Sequence, residues 1–304
     1  MTRVDMLERV TVLRTQRTPF VLATVVRAER PTSAKPGDCA LVLADGTIDG
    51  FVGGACAETS VRLESLRLLR SGESGLLRIT PRADDPDEPV QEGVRTVGNP
   101  CLSGGTLEIF LEAMIPPVLV TVYGEAPVAR ALVRVGSSLD WDVRAGVDPA
   151  ASISPDTSAV VVASHGRDEA AVLRAALDAG VAYIALVASR RRAAGVLDEL
   201  AAAGVQESQR LRIHAPAGLD IGARTAAEIA LSVIADIVAN RPRVVLPAGD
   251  AAVATAPETA RDPVCGMTVA VSPASISALH AGAPVHFCGT GCRQAFLDDP
   301  ARFG

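Results

Sequence analysis

The feature that most constrains the fold is a series of apolar runs that alternate with helical patterns between residues 118 and 203. Most of these runs are nearly continuous and do not alternate with polar residues, which is typical of strands buried on both faces. Strands of this kind separated by helices predict a parallel sheet with helices on both faces, that is, a Rossmann-like α/β domain. The predicted strands span 118–123, 142–147, 159–164 and 181–187, and the predicted helices include 168–179 and 190–203.

The chain before this region has a different pattern, which predicts a separate N-terminal α+β domain. Asp45-Gly46 lies between two apolar runs and favours a type I′ hairpin turn. We expect a helix over 4–14 and strands over 20–26, 40–43, 76–79 and 106–112.

Two proline-containing stretches divide the chain further. Pro116-Pro117 marks a boundary, and the Ala-, Pro- and Thr-rich residues that follow the last helical pattern read as a linker. A length of 304 residues agrees with about two ordinary domains. The predicted organisation is an N-terminal domain (1–115), a Rossmann-like domain (116–242), a linker (243–260) and a small cysteine module (261–304).

Cys56 is predicted to lie at the N-terminus of a helix. It follows Gly53-Gly54, and apolar residues at helical spacing begin soon after it. The positive end of a helix stabilises a thiolate and lowers a cysteine pKa from about 8.5 to roughly 3.5–7.5, while Gly53 and Gly54 allow a tight turn and the close approach of a ligand. Cys56 is therefore either a reactive thiol or a small buried side chain in a turn.

Cys101 lies in a loop, 98–105, that also contains three glycines and a proline. A cysteine in such a loop lacks the regular packing that would explain it as a core residue. Together with Cys56 it suggests a shared functional pocket in the N-terminal domain.

The turn after the first strand of the Rossmann-like domain resembles a dinucleotide-binding fingerprint without matching it. Gly124 is followed by Ala126 and Ala129 where the fingerprint has its second and third glycines. Asp148 ends the second strand at about the expected distance of 20 residues. A methyl group at the second position would crowd a pyrophosphate, so Gly124, Ala126 and Asp148 predict a ligand site poorly suited to NAD.

Polar residues after the other strands are further candidates, because ligands in such folds lie at the carboxyl ends of the strands. His165 follows the third strand, and Ser189-Arg190-Arg191 follows the fourth. Arginines that open a helix oppose its dipole, so a bound anion would relieve the conflict. Solvated arginines are the simpler alternative for at least one of the arginines. The glycine-rich loop before a capping box at Thr225 supplies the remaining candidates, His214, Asp220 and Arg224. A histidine hydrogen-bonded in the core is the simpler alternative for His214.

Cys265, Cys288 and Cys292 predict a metal site in the C-terminal module. Cys288 and Cys292 are four residues apart, one helical turn, so both thiolates can face one metal with Cys265 as a third ligand. Soft thiolates favour zinc or another thiophilic ion, and a module of about forty residues builds little core without such support. His286 would serve as the fourth ligand, or the site would stay open.

Charge and hydropathy argue against several classes of protein. A formal net charge of −6 gives no reason to expect nucleic-acid binding. No apolar run approaches the roughly 20 residues of a membrane span, and the first nine residues are too charged for a signal peptide. We therefore expect a cytoplasmic protein, in which the six cysteines are catalytic or metal-binding thiols and not disulfides.

Three stretches together resemble the XdhC/CoxI family of accessory proteins for molybdenum hydroxylases: Gly53 to Glu58, Asn99 to Gly105, and Ile213 to Glu228. The resemblance covers roughly residues 1–240. The tail is similar to a YHS domain, a small cysteine module associated with metal binding, through Cys265-Gly266-Met267 and residues 287–292.

The family resemblance implies a protein that binds the molybdenum cofactor (molybdopterin), assists exchange of one oxo ligand of molybdenum for sulfido, and delivers the cofactor to an apo-hydroxylase such as xanthine dehydrogenase or carbon monoxide dehydrogenase. A cysteine desulfurase would supply the sulfur, Cys56 would carry it as a persulfide, and Cys101 would relay it or contact the cofactor. A homodimer is expected. Two alternatives stay open: an NAD(P)-dependent oxidoreductase with Asp148 on the ribose, and a chaperone that only shields the cofactor.

Overall fold

The computed structural model describes residues 3–81, 93–98, 105–146, 153–240 and 257–303. The chain forms two compact units. One contains the described residues of Met1–Pro116 and of Ala248–Gly304, and the other contains those of Pro117–Pro247. The C-terminal cysteine module therefore packs with the N-terminal residues. None of the helices in the described ranges is long and apolar enough to cross a membrane.

The N-terminal part of the first unit is an α+β structure, as predicted. Its helices and strands are α1 (Arg3–Thr15), β1 (Phe20–Glu29), β2 (Cys39–Leu43), β3 (Ile48–Gly50), α2 (Ala55–Ser71), β4 (Gly75–Thr80), β5 (Val94–Gly98) and β6 (Thr106–Met114). The six strands form one sheet in the order β3-β2-β1-β6-β4-β5. All neighbours are antiparallel except β4 and β5. The apolar face of α2, including Val61 and Leu69, is buried.

The hairpin between β2 and β3 does not have the predicted type I′ turn. A type I′ turn needs positive φ at both central residues, but among residues 44–47, which connect β2 and β3, only Gly46 has positive φ, +85°. The Gly46 N–H donates to the Leu43 carbonyl at 2.9 Å, which places Ala44 and Asp45 at the centre of the turn. The Asp45 carboxylate accepts the Thr47 N–H at 2.9 Å and so stabilises an ordinary turn followed by a left-handed glycine.

The second unit is the predicted Rossmann-like domain, an all-parallel sheet flanked by helices. Its elements are β7 (Leu119–Tyr123), α3 (Pro127–Ser137), β8 (Asp142–Gly146), β9 (Thr157–Val162), α4 (Glu169–Asp178), β10 (Tyr183–Leu186), α5 (Arg190–Ala202), α6 (Glu207–Arg210), β11 (Ile213–His214) and α7 (Ala226–Asn240). The strand order is β8-β7-β9-β10-β11, and all neighbours are parallel. Separate apolar clusters cover the two faces, one containing residues of α3 and α7 and the other residues of α4 and α5. This is the doubly wound order in which strand order reverses between β7 and β9.

The C-terminal module consists of two short antiparallel hairpins and one helix. These elements are β12 (Thr259–Arg261), β13 (Thr268–Ala270), β14 (Ile276–His280), β15 (Ala283–Phe287) and α8 (Thr290–Asp298). The rings of Phe287 and Phe296 pack with centroids 5.3 Å apart and are both buried. This core is small, as expected for so short a segment.

We expect Gly124→Ala to destabilise the second unit more than Gly166→Ala. Both glycines have positive φ, +114° and +97°, so alanine costs about 1–2 kcal/mol of backbone strain at either position. At Gly124 an added Cβ would also lie 2.3 Å from the Ala163 carbonyl oxygen, whereas at Gly166 it would meet nothing within 4 Å. Overpacking should add about 1–3 kcal/mol at Gly124 alone. Urea unfolding of both variants tests this prediction, and equal losses would contradict it.

Candidate functional site

Cys56 lies at the N-terminus of a helix, as predicted. It is the second residue of α2, directly after Ala55, and Gly54 is the N-cap. Gly53 has a φ of +135°, and an added Cβ there would lie 3.1 Å from the Ala57 side chain, so the turn requires glycine. Space around Gly54 is open. Cys56 is partly exposed and not in a disulfide, so the first turn of the helix carries a thiol.

The three C-terminal cysteines come together in the same unit. Cys265 lies in the turn between β12 and β13, Cys288 directly follows β15, and Cys292 lies in the first turn of α8. The Cys265 and Cys288 sulfurs are 3.5 Å apart, and the Cys288 and Cys292 sulfurs are 3.6 Å apart. With the carboxylate of Asp262, the ligand atoms lie within 4.8 Å of one another. This donor set fits the thiophilic ion that the sequence predicts.

Asp262 is the residue that sequence reasoning missed. It is 0 % exposed, and its carboxylate accepts the backbone N–H groups of Val264 at 2.8 Å and Cys288 at 2.7 Å. Burial opposes ionisation of Asp262, but these hydrogen bonds outweigh it and hold its pKa below the usual value. An aspartate before a proline, two residues ahead of a paired N–H, is the pattern of an Asx turn and could have identified it. Asp262 is the fourth member of this group of candidate ligands, a position for which the sequence suggested His286.

Cys56 joins this cluster. Like Cys265 and Cys292, it packs against a small buried cluster formed by Met267, Val269 and Cys288. The hydrogen bond with Cys56, and then burial, raise the pKa of Cys288. Burial raises the pKa of Cys292 to about 12. Without a bound cation these two thiols are therefore protonated near neutral pH.

A cavity of about 360 Å³ lies beside the cysteine cluster. Cys265, Glu64 and Arg95 line it, and the Arg95 guanidinium pairs with the buried Glu64 carboxylate at 2.9 Å. Gly98, which lines it too, is the last described residue before the segment that carries Cys101. Cys101 itself lies outside the described residues, so its role stays a prediction.

A larger cavity, of about 760 Å³, lies in the second unit at the carboxyl ends of β9, β10 and β11. This edge of the sheet is the expected place for a ligand. Four residues selected from the sequence line the cavity: His165, Ser189, Arg190 and Asp220. His165 has a φ of +53°, in the left-handed region that non-glycine residues adopt rarely.

The remaining predicted residues of this domain lie elsewhere. Arg191 and Arg224 are exposed and do not line the cavity. Gly124 turns closely against the Ala163 backbone, and Ala126 is the N-cap of α3. Asp148 lies outside the described residues.

His214, on the edge strand β11, takes part in a hydrogen-bond network with Asp236 and Tyr183. Its Nδ1 lies 3.0 Å from an Asp236 carboxylate oxygen, which also accepts the Tyr183 hydroxyl hydrogen at 2.7 Å. Tyr183 and Asp236 are buried, so the network satisfies polar groups that would otherwise be costly. The simpler alternative from the sequence, a histidine hydrogen-bonded in the core, accounts for this position.

Arg192 lines this cavity and pairs with Glu169, a residue to which the sequence assigned no role. Glu169 is 4 % exposed, and its carboxylate pairs with the Arg192 guanidinium at 3.3 Å. Arg192 also donates to the Val187 carbonyl at 2.7 Å. This pair joins the first turns of α4 and α5 and holds the partly exposed Arg192 guanidinium against the buried Glu169 carboxylate.

The fold and the candidate sites define the class of protein. The chain combines a Rossmann-like unit, with a cavity at the carboxyl edge of its parallel sheet, and an α+β unit with a thiol at a helix N-terminus. Residues 120–237 match the family described as XdhC Rossmann domain, and residues 13–80 match the XdhC and CoxI family. The chain therefore belongs to the XdhC and CoxI family. These matches end before the C-terminal module, whose likeness to a YHS domain stays a prediction.

Two proteins of Escherichia coli (strain K12) are similar in sequence. Uncharacterized protein YqeB is 30 % identical over 253 residues, which are 74 % of this chain and 44 % of YqeB, so the chain spans less than half of that relative. Molybdenum cofactor insertion chaperone PaoD is 23 % identical over 264 residues, 73 % of this chain and 83 % of PaoD.

Among solved structures, a crystal structure described as a xanthine dehydrogenase from Bacillus halodurans aligns with 78 % of this chain and 95 % of that chain. The sequence identity is 18 % and the TM-score is 0.35. A similarity this low supports no argument about fold or function.

We expect Asp262→Asn to loosen the C-terminal module. An asparagine can still accept the Val264 N–H, but its amide group would meet the Cys288 N–H donor-to-donor or leave it unpaired. A buried hydrogen bond to a charged group contributes about 1.5–3 kcal/mol, so thermal unfolding should shift by that order. Hydrogen exchange of the Cys288 amide should accelerate in parallel. An unchanged exchange rate would contradict the assigned role of Asp262.

Proposed function

We propose that this protein is a maturation factor for a molybdenum hydroxylase: it binds the molybdenum cofactor, assists replacement of one oxo ligand by sulfido, and delivers the cofactor to an apo-enzyme such as xanthine dehydrogenase or carbon monoxide dehydrogenase. The observation that carries this proposal is the thiol of the partly exposed Cys56 at the N-terminus of α2 in a chain of the XdhC and CoxI family. The named role of PaoD in molybdenum cofactor insertion supports it.

The cavity of the second unit is the proposed cofactor site. Its volume of about 760 Å³ falls within the range of about 300–1,000 Å³ that is usual for small-molecule sites. The cofactor carries a phosphate, and α5 begins at the cavity with Arg190 as its first residue and Ser189 as its N-cap. A helix N-terminus and an arginine are both suited to phosphate, so Arg190 and Ser189 would hold this group, and His165 and Asp220 would contact the rest of the ligand.

Cys56 is the proposed sulfur carrier. A thiolate attacks the outer sulfur of a desulfurase persulfide, a new sulfur–sulfur bond forms on Cys56, and the desulfurase cysteine leaves as its thiolate. No external oxidant is needed, because the sulfane sulfur only changes its carrier. The helix end at Cys56 favours the attacking thiolate. Cys101 remains the proposed relay or cofactor contact.

Mass spectrometry after incubation with a cysteine desulfurase and cysteine tests this function. The expected result is one added sulfur atom on the peptide that contains Cys56, removed by a reducing agent. An adduct on none of the cysteines, or only on Cys39, would overturn the sulfur-carrier assignment. The same sample can be assayed for bound nicotinamide cofactor, whose presence with hydride transfer would favour the oxidoreductase alternative instead.

We expect Arg190→Ala to weaken binding of isolated molybdenum cofactor much more than Arg191→Ala. The two arginines are adjacent and exposed, but only Arg190 lines the cavity. A hydrogen bond to a charged group contributes about 1.5–3 kcal/mol, which corresponds to roughly 10- to 100-fold in affinity. Equilibrium dialysis measures both variants. Equal losses would mean that general positive charge, and not a contact in the cavity, attracts the ligand.

A further inference from the structure

The C-terminal module packs on the first turn of α2, the turn that carries Cys56. The Thr59 hydroxyl, buried three residues after Cys56, donates to the Cys288 carbonyl of the module at 2.8 Å. A Cβ placed on Gly289 would lie 3.2 Å from the Ala55 side chain, so the start of α2 leaves no room for a longer side chain at this point of the module. Both parts of the chain belong to one compact unit.

Apolar side chains of the module complete this contact around Cys56. Met267, just before β13, and Val269, within it, form a buried cluster with Cys288. Cys56 packs against this cluster and is only partly exposed. The module therefore lies against the Cys56 side chain and limits the directions from which another molecule can reach its sulfur.

Access decides how fast such a thiol reacts with a large partner. In thiol exchange the attacking sulfur must contact the sulfur that it attacks, so the rate depends on access as well as on the thiolate fraction. A protein donor needs more free surface around the acceptor than a small solute does. At the first turn of α2 the module occupies this surface, through the Thr59 hydrogen bond and the packing at Ala55 and Cys56.

We propose that the C-terminal module is an autoinhibitory cover of Cys56. It rests on the thiol in the structure described here, and it must move away from the first turn of α2 before a protein donor can reach the sulfur. A hydrogen bond and a few apolar side chains hold the contact, and contacts of this kind open locally without global unfolding. The cover follows from the packing alone, whereas its effect on sulfur transfer rests on the proposed function.

Alkylation by iodoacetamide measures the cover directly. The full-length protein is used as isolated, with any metal of the module left in place, and peptide mass spectrometry follows the modification of Cys56. When opening and closing are fast, the rate of modification follows the population of the open form. Cys39 is the internal reference, because it is also partly exposed and packs against another cluster.

We expect Gly289→Leu to speed up alkylation of Cys56 at least about 5-fold, because the added side chain is forced between the module and Ala55. The φ of Gly289 is −166°, an extended backbone that leucine also adopts. Gly291→Leu is the matched control, since a Cβ at Gly291 meets nothing within 4 Å. Its alkylation rate at Cys56 should stay within about 2-fold of the unsubstituted protein.

Thr59→Val loosens the same contact from the side of α2 and leaves the sequence of the module unchanged. It removes the hydrogen bond to the Cys288 carbonyl, so alkylation of Cys56 should rise about 2- to 10-fold. Hydrogen exchange in the hairpin of β14 and β15 should stay as slow as in the unsubstituted protein. Slow exchange there, with faster alkylation, distinguishes an opened cover from an unfolded module.

Unchanged alkylation of Cys56 in both Gly289→Leu and Thr59→Val would overturn the proposal, and so would an acceleration of equal size in Gly291→Leu. Sulfur transfer from a cysteine desulfurase should become faster in the first two variants by about the factor seen for alkylation. Absence of transfer in every form of the protein would contradict the sulfur-carrier role and leave the alkylation rates unchanged. The two proposals therefore fail separately.

Discussion

Cys56→Ala should leave a molybdenum hydroxylase that is expressed with this protein nearly inactive, with a loss of at least about 100-fold. A positioned catalytic side chain commonly contributes about 100- to 10,000-fold, and this substitution removes the atom that would accept the sulfur from the desulfurase. The measurement is the activity of the purified client with its sulfide content, which cyanide treatment releases as thiocyanate. The client should contain molybdenum but lack the sulfido ligand.

Structural damage is a poor explanation for such a loss, because the position tolerates alanine. Cys56 is partly exposed at the start of α2, and alanine is the best helix former. Cys39→Ala is the control: it changes a cysteine of the same unit at the start of β2 that has no part in the proposed chemistry. If Cys56→Ala and the double variant with Cys101→Ala both still yield a sulfurated client, the protein only shields and delivers the cofactor.

Local patterns in the sequence predicted most of the elements that position this thiol. The glycine pair and the apolar spacing after it placed Cys56 at a helix N-terminus because both signals are local. Continuous apolar strands predicted the parallel sheet, since only burial on both faces tolerates them. The prediction of a type I′ turn at Asp45-Gly46 was wrong. This dipeptide fits two turn types, and the hydrogen bond from the Thr47 N–H to the Asp45 carboxylate favours the observed one.

Contacts between distant residues could not be predicted in this way. The Thr59–Cys288 hydrogen bond spans 229 positions, and no local pattern encodes which surface the C-terminal module covers. The partners of the three arginines at the start of α5 could not be predicted from the sequence either. Arg190 lines the cavity, Arg191 does not, and Arg192 pairs with Glu169. Periodicity gave their helix but not their partners.

Cys288→Ser should abolish tight metal binding, with an affinity loss of at least about 100-fold. Changes behind the ligands of a metal already cost about 10- to 100-fold, and the Cys288 sulfur lies 3.5 Å from that of Cys265 and 3.6 Å from that of Cys292. Serine is close to cysteine in size, and its hydroxyl is a poor ligand for a thiophilic ion. Competition with a chromophoric chelator for Zn²⁺ measures the loss, and Cys39→Ser again is the control.

Thermal unfolding with and without a chelator separates lost metal binding from misfolding. A metal that binds only the folded module stabilises it by mass action, and about forty residues with one small aromatic core have little other support. The chelator should therefore lower the Tm of the unsubstituted protein towards that of Cys288→Ser and leave the variant unchanged. A chelator effect of equal size in both would contradict the assignment of Cys288 as a ligand, because this buried sulfur lies between those of Cys265 and Cys292.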